Sequence, residues 1–119
     1  MKRILLAETA GFCFGVDRAV KMVEQLLESS ERVYTLGPII HNPQLVKELE
    51  QKGATIAASV NDVPKGGTLV ISSHGAPASV YTEAQKRGIK VVDATCPYVG
   101  KIHKIVSRAW DDGRLLLVA

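Results

Sequence analysis

The chain has 119 residues, the length of one ordinary domain, and its 46% hydrophobic and 23% charged composition is that of a soluble globular protein able to bury a core without staples. The excess of 15 Lys and Arg over 12 Asp and Glu is small and scattered, densest at Lys101 and Lys104 around His103. That balance argues against a nucleic-acid partner and suits a small anionic ligand. No apolar run approaches the roughly 18 residues of a membrane span. The start Met1-Lys2-Arg3 is followed by too short an apolar stretch, interrupted by Glu8, to be a signal peptide. A cytoplasmic location follows, and there two cysteines read as thiols or metal ligands rather than as a disulfide.

In chain order, residues 4–7 read as a first strand and 15–29 as a helix, with Val16, Ala19, Val20, Val23, Leu26 and Leu27 on one face. Residues 32–36 are a second strand. Asn42-Pro43 is an N-cap with proline at the first helical position, Leu45, Val46 and Leu49 form the buried face, and Gly53 is the stop. A short strand at 54–57 is followed by a turn at 61–67, punctuated by Pro64, Gly66 and Gly67. Residues 68–72 are a continuous apolar strand of the kind buried on both faces. A helix runs from Pro77 to Gly88, then a fifth strand at 89–92. A helix over 98–112 is expected to bury Val99, Ile102, Val106 and Trp110, and a sixth strand runs from Leu115 to Ala119.

Strands alternating with helices give an α/β fold, a mainly parallel sheet flanked by helices. A parallel strand that ends a chain stops where such folds place their ligands, so the sequence reads as truncated at Ala119.

Four reactive residues follow strands directly. Cys13 lies in Gly11-Phe12-Cys13-Phe14-Gly15, His41 before Asn42-Pro43, His74 in Ser72-Ser73-His74-Gly75, and Cys96 in Asp93-Ala94-Thr95-Cys96-Pro97. In a parallel sheet every strand-to-helix loop lies on one edge, so residues distant in sequence should face one crevice. Taken singly, a lone cysteine usually packs as a small hydrophobe. The glycines around Cys13 and the helix start after each cysteine favour exposure and negative charge instead. Cys-Pro also commonly follows cluster ligands.

His41 and His74 each precede a helix start, where free N–H groups attract anions, so together they suit a diphosphate. Asn42, Ser72, Ser73 and Thr95 are candidates for added neutral hydrogen bonds. His103, within a helix beside the apolar stripe, reads as structural. Asp17 and Arg18 read as support for the first helix turn, with orientation of the Cys13 loop as the alternative. Spacing alone leaves three chemistries open: zinc, a cluster completed elsewhere, and a Cys/His nucleophilic site.

These segments resemble the LytB family, the 4-hydroxy-3-methylbut-2-enyl diphosphate reductases that end the non-mevalonate isoprenoid pathway. The resemblance rests on Gly11-Phe12-Cys13-x-Gly15-Val16-Asp17-Arg18-Ala19, His41-Asn42-Pro43, Ser73-His74-Gly75 and Asp93-Ala94-Thr95-Cys96-Pro97, then Val99 and Lys101 to His103.

It implies the first of three similar α/β domains around a 4Fe–4S cluster, with Cys13 and Cys96 as two of its three cysteine ligands and His41 and His74 as diphosphate-binding residues. It implies a domain boundary between 1–97 and 98–119, the latter opening a second, truncated domain. The third cysteine and the proton-donating glutamate have no counterpart here and are expected beyond Ala119, so no catalytic residue is assigned within these residues. The implied partners are an allylic diphosphate substrate and a ferredoxin- or flavodoxin-type electron donor, with neither nucleic acid nor membrane. The chain alone is expected to be inactive, and the competing expectation is a small α/β phosphate- or zinc-binding module without turnover.

Overall fold

A computed structural model describes residues 2–29 and 31–117. Four short strands, β1 (Val33–Leu36), β2 (Thr55–Ala57), β3 (Thr68–Ile71) and β4 (Lys90–Asp93), form one sheet in the order β2-β1-β3-β4. All three pairings are parallel, with Tyr34 opposite Thr55 and Leu69, and Leu69 opposite Val91. The helices are α1 (Phe14–Glu28), α2 (Pro43–Gln51), α3 (Ala78–Lys86) and α4 (Pro97–Asp111). The expected α/β class, a parallel sheet flanked by helices, is the fold observed.

The central strand β3 is buried along its whole length. Its side chains alternate between two cores, as strand geometry requires. Val70 packs with Ala19, Val23, Val33, Ile39 and Leu49 under α1 and α2. Leu69 and Ile71 pack with Ala57, Val60, Val63, Ala84 and Ile89 under α3. A single 3₁₀ turn, Val60–Asp62, leads back toward β3, capped by the reciprocal bonds of Ser59 and Asp62.

From the middle of the sheet the chain runs outward in both directions. The β1–α2–β2 unit goes one way and β3–α3–β4 the other, each covering an opposite face. The order therefore reverses between β1 and β3, and a crevice opens beyond their C-terminal ends.

Three expectations fail. Residues 4–7 form no ladder, and Ile4 is 97% exposed. The apolar pattern is right for a strand, but no edge of this sheet lies alongside to complete its hydrogen bonds. The sixth strand, expected from Leu115 to Ala119, also fails over 115–117, while its last two positions, Val118 and Ala119, lie outside the described residues. Finally, α4 buries no residue: Val99 is half-buried, Ile102 and Val106 are exposed, and Trp110 is 76% exposed. Helical periodicity reports an apolar face but not the surface that covers it, and the described residues offer α4 no facing layer. The radius of gyration, 17.1 Å, agrees with this extension, since a compact domain of this length has one of roughly 13 Å.

Candidate functional site

His41 follows β1 and His74 follows β3, so both stand over the crevice where the strand order reverses. Their rings face one another with centroids 5.6 Å apart and planes tilted by 35°. Both side chains are exposed to solvent, so the pair presents two ring edges to a ligand rather than packing as core.

Cys96 follows β4 and is the N-cap residue of α4; Cys13 is the N-cap residue of α1. Cys13 follows no strand, contrary to expectation, and arrives at the site from α1 instead. Gly15, in the first turn of α1, lies directly against Cys96: a Cβ placed there would sit 2.7 Å from the Cys96 Sγ. Nearby, Phe14 meets Tyr98 edge-on with centroids 6.4 Å apart. The two helix starts are thus held side by side. Cys13 is exposed and Cys96 half-buried, and both are free thiols. Neither side chain makes a capping bond among the described residues.

The histidine pair and Cys96 are on adjoining loops. The Cys96 N–H donates to the carbonyl of Ser73 at 3.0 Å, one residue before His74. Gly75 then turns with φ +82°, and a Cβ there would sit 2.8 Å from Cε1 of His103 and 3.3 Å from the Thr95 hydroxyl. Only glycine meets both demands, a left-handed backbone and no side chain. His103 is therefore not a core histidine on an apolar stripe, as its sequence position suggests. It is exposed, and it lines an open cleft of about 440 Å3 with His74, Gly75 and Pro77. A second cleft of about 610 Å3 runs past Asp93, Thr95 and Cys96 to Lys101 and Lys104.

Several polar groups expected to contact an anion are engaged elsewhere. The Asn42 Oδ1 accepts from the backbone N–H of Gln44 and Leu45, both at 3.1 Å. With proline at the first position, these bonds close the start of α2 to anions. The start of α3 carries no side-chain cap among the described residues and lies just after His74, so it is the helix start better suited to an anion. Ser72 and Ser73 are buried. The Thr95 hydroxyl donates to Asp93. Asp17 pairs with Lys21 at 2.7 Å along α1, whereas Arg18 crosses to the Cys96 loop and donates to the Thr95 carbonyl at 3.3 Å.

The sequence offers no signal for this Arg18 bond or for the Tyr81 hydroxyl that donates to Asp93 at 2.9 Å. Partial burial pushes the Asp93 carboxyl up, but the hydrogen bonds from Thr95 and Tyr81, with the Arg18 charge, outweigh it and leave the group below its ordinary range.

Two thiols from separate helix starts, beside a paired-imidazole crevice, can ligate a thiophilic metal centre and hold an anion next to it. Among the described residues, no three His, Cys, Asp or Glu side chains gather into a complete metal site. No helix among the described residues is long and apolar enough to cross a membrane.

The family model described as LytB protein matches residues 4–119. The 4-hydroxy-3-methylbut-2-enyl diphosphate reductase of Aquifex aeolicus (strain VF5) is 45% identical over 119 residues, covering 99% of this chain and 41% of that protein. The protein of the same name from Clostridioides difficile (strain 630) is 42% identical over 116 residues, covering 97% of this chain and 42% of its own length. Two solved structures share the fold. A structure of (E)-4-hydroxy-3-methyl-but-2-enyl diphosphate reductase, the terminal enzyme of the non-mevalonate pathway, matches with a TM-score of 0.78 and 48% identity over 92% of this chain and 39% of that one. The E-1-hydroxy-2-methyl-but-2-enyl-4-diphosphate reductase from Plasmodium falciparum matches with a TM-score of 0.83 and 37% identity over 88% and 33%. The chain spans about two-fifths of the length of the curated relatives it matches.

Proposed function

The chain belongs to the LytB family, and from that premise we propose that it is the N-terminal part of a 4-hydroxy-3-methylbut-2-enyl diphosphate reductase. The reaction removes the C4 hydroxyl of the substrate as water, using two electrons and two protons, and yields isopentenyl and dimethylallyl diphosphates. The observation that carries this reading is the adjacency of two pairs: the His41–His74 rings over the strand-order crevice, and Cys96 against the α1 start that carries Cys13.

In this reading Cys13 and Cys96 are two ligands of a 4Fe–4S cluster. Their environment fits that group: both are free thiols at helix starts, and Gly15 keeps side-chain bulk away from Cys96. Two cysteines do not complete such a cluster, and in this reading the family's third cysteine ligand and its proton-donating glutamate are not among these 119 residues. When bound, the cluster supplies electrons and a Lewis-acidic iron open to substrate.

The chain's own part is binding and orientation. His41 and His74 donate hydrogen bonds to the diphosphate, the open start of α3 favours its negative charge, and the allylic end is thereby aimed toward the cysteines. Residues 1–97 constitute the first α/β domain and 98–119 open the second; the uncovered face of α4 supports that boundary. The enzyme works in the cytoplasm and receives electrons from a ferredoxin- or flavodoxin-type protein.

Anaerobic reconstitution of the full-length protein tests the proposal. The expected result is stoichiometric cluster iron and turnover of the allylic diphosphate with a chemical one-electron reductant. Cys13→Ser and Cys96→Ser should lose the iron, whereas His41→Ala and His74→Ala should keep it and raise KM. Stoichiometric zinc with no turnover would replace this reading with a zinc- or phosphate-binding module.

A further inference from the structure

Thr95, the residue before Cys96, is gripped from two elements at once. Asp93 accepts from its backbone N–H at 2.9 Å and from its hydroxyl. Arg18 donates to its carbonyl at 3.3 Å. Behind Asp93 stands Tyr81 of α3, whose hydroxyl donates to the second carboxylate oxygen at 2.9 Å. Arg18 belongs to the helix whose N-cap residue is Cys13. One chain of hydrogen bonds therefore runs from α3 through the end of β4 and the Cys96 loop to the helix that carries the other cysteine.

These bonds are poorly placed to hold the fold. Asp93 is exposed, and Arg18, Thr95 and Tyr81 are only half-buried. Hydrogen bonds and ion pairs at such positions add little to stability. Their convergence on one loop residue has another consequence, which is to set where the next side chain stands. We propose that Arg18 and Asp93 are positioning residues that fix the Cys96 sulfur relative to Cys13 before any cofactor is present. This rests on the reading of both cysteines as cluster ligands. Groups behind a ligand commonly orient it in this way, and their loss weakens the metal without touching it.

The test compares the full-length protein with Asp93→Ala, Arg18→Met and Arg18→Lys. Asp93→Ala and Arg18→Met should surrender cluster iron to a chelator about 10- to 100-fold faster than the parent. The electron paramagnetic resonance spectrum of the reduced cluster should change, while the thermal midpoint of the metal-free protein stays at the parent value. Arg18→Lys, which keeps a donor, should recover much of the retention. In metal-free protein, Cys96 should alkylate faster in the two disabled variants and Cys13 at an unchanged rate.

Parent-like iron retention, spectrum and alkylation in Asp93→Ala and Arg18→Met would overturn the proposal. So would iron loss that only tracks a lowered thermal midpoint, since the residues would then be holding the fold. A parent that takes up no iron would sink the functional reading itself; the alkylation contrast would still decide whether these residues position Cys96.

Discussion

Gly15 and Cys96 touch so closely that a Cβ on the glycine would lie 2.7 Å from the Sγ and 2.8 Å from the Cβ of the cysteine. This contact sets two opposing effects against each other. Alanine inside a helix is worth about 0.5–1 kcal/mol over glycine. Forcing a methyl into a filled space costs about 1–3 kcal/mol. The steric term is the larger, so Gly15→Ala should lower the thermal midpoint. Gly100, in the first turns of α4, has nothing within 4 Å of its added Cβ, and Gly100→Ala should raise it. Thermal unfolding of the two variants checks the sign of each, and a Gly15→Ala protein more stable than the parent would mean that Cys96 moves aside freely.

The Asn42 cap holds the start of α2, directly after His41. Replacing it with alanine leaves the Gln44 and Leu45 N–H groups without their partner. The expected cost is about 0.5–2 kcal/mol, read as a shift in the denaturant midpoint. Asn42→Asp keeps the accepting oxygen and should unfold close to the parent.

Ile71 is fully buried at the end of β3, just before the loop that carries His74. Ile71→Ala should cost about 2–5 kcal/mol in denaturant unfolding, through lost burial and the cavity left behind. It should also disturb the approach of His74 to His41, which a weakened affinity for inorganic diphosphate would report.

Glu31 ties the N-terminal edge of the sheet, opposite the site. It accepts from the Thr68 hydroxyl at 2.6 Å and from the Lys90 ammonium at 2.9 Å. The Thr68 bond first, then the Lys90 bond and charge, holds its carboxyl below the ordinary value of 4.5. Because the folded pKa is the lower one, the stabilisation is fully present above that ordinary value and is lost as pH falls through the folded pKa. Glu31→Gln should therefore be less stable than the parent at neutral pH, with the gap closing on acidification. Thermal midpoints between about pH 2 and 7 measure this; a gap that widens toward low pH would contradict it.

The periodic and turn-forming residues determined most of the local structure by themselves. The continuous apolar run of β3, the Asn42-Pro43 helix start and the stops at Gly53 and Gly88 all act within a few residues, and β1 to β4 and α1 to α4 appear close to their expected bounds. The placement of His41, His74 and Cys96 on one edge also followed from sequence, because parallel strands put their following loops on the same side. Long-range pairing was decided only by the folded chain. Among the described residues, 4–7 have a strand's composition but no neighbour to accept their hydrogen bonds, and α4 has an apolar face with no layer against it. Arg18 reaching Thr95, Tyr81 reaching Asp93 and His103 closing on Gly75 join side chains from different elements. No spacing along the chain encodes such contacts, since they depend on how the helices dock on the sheet rather than on any residue's own neighbours.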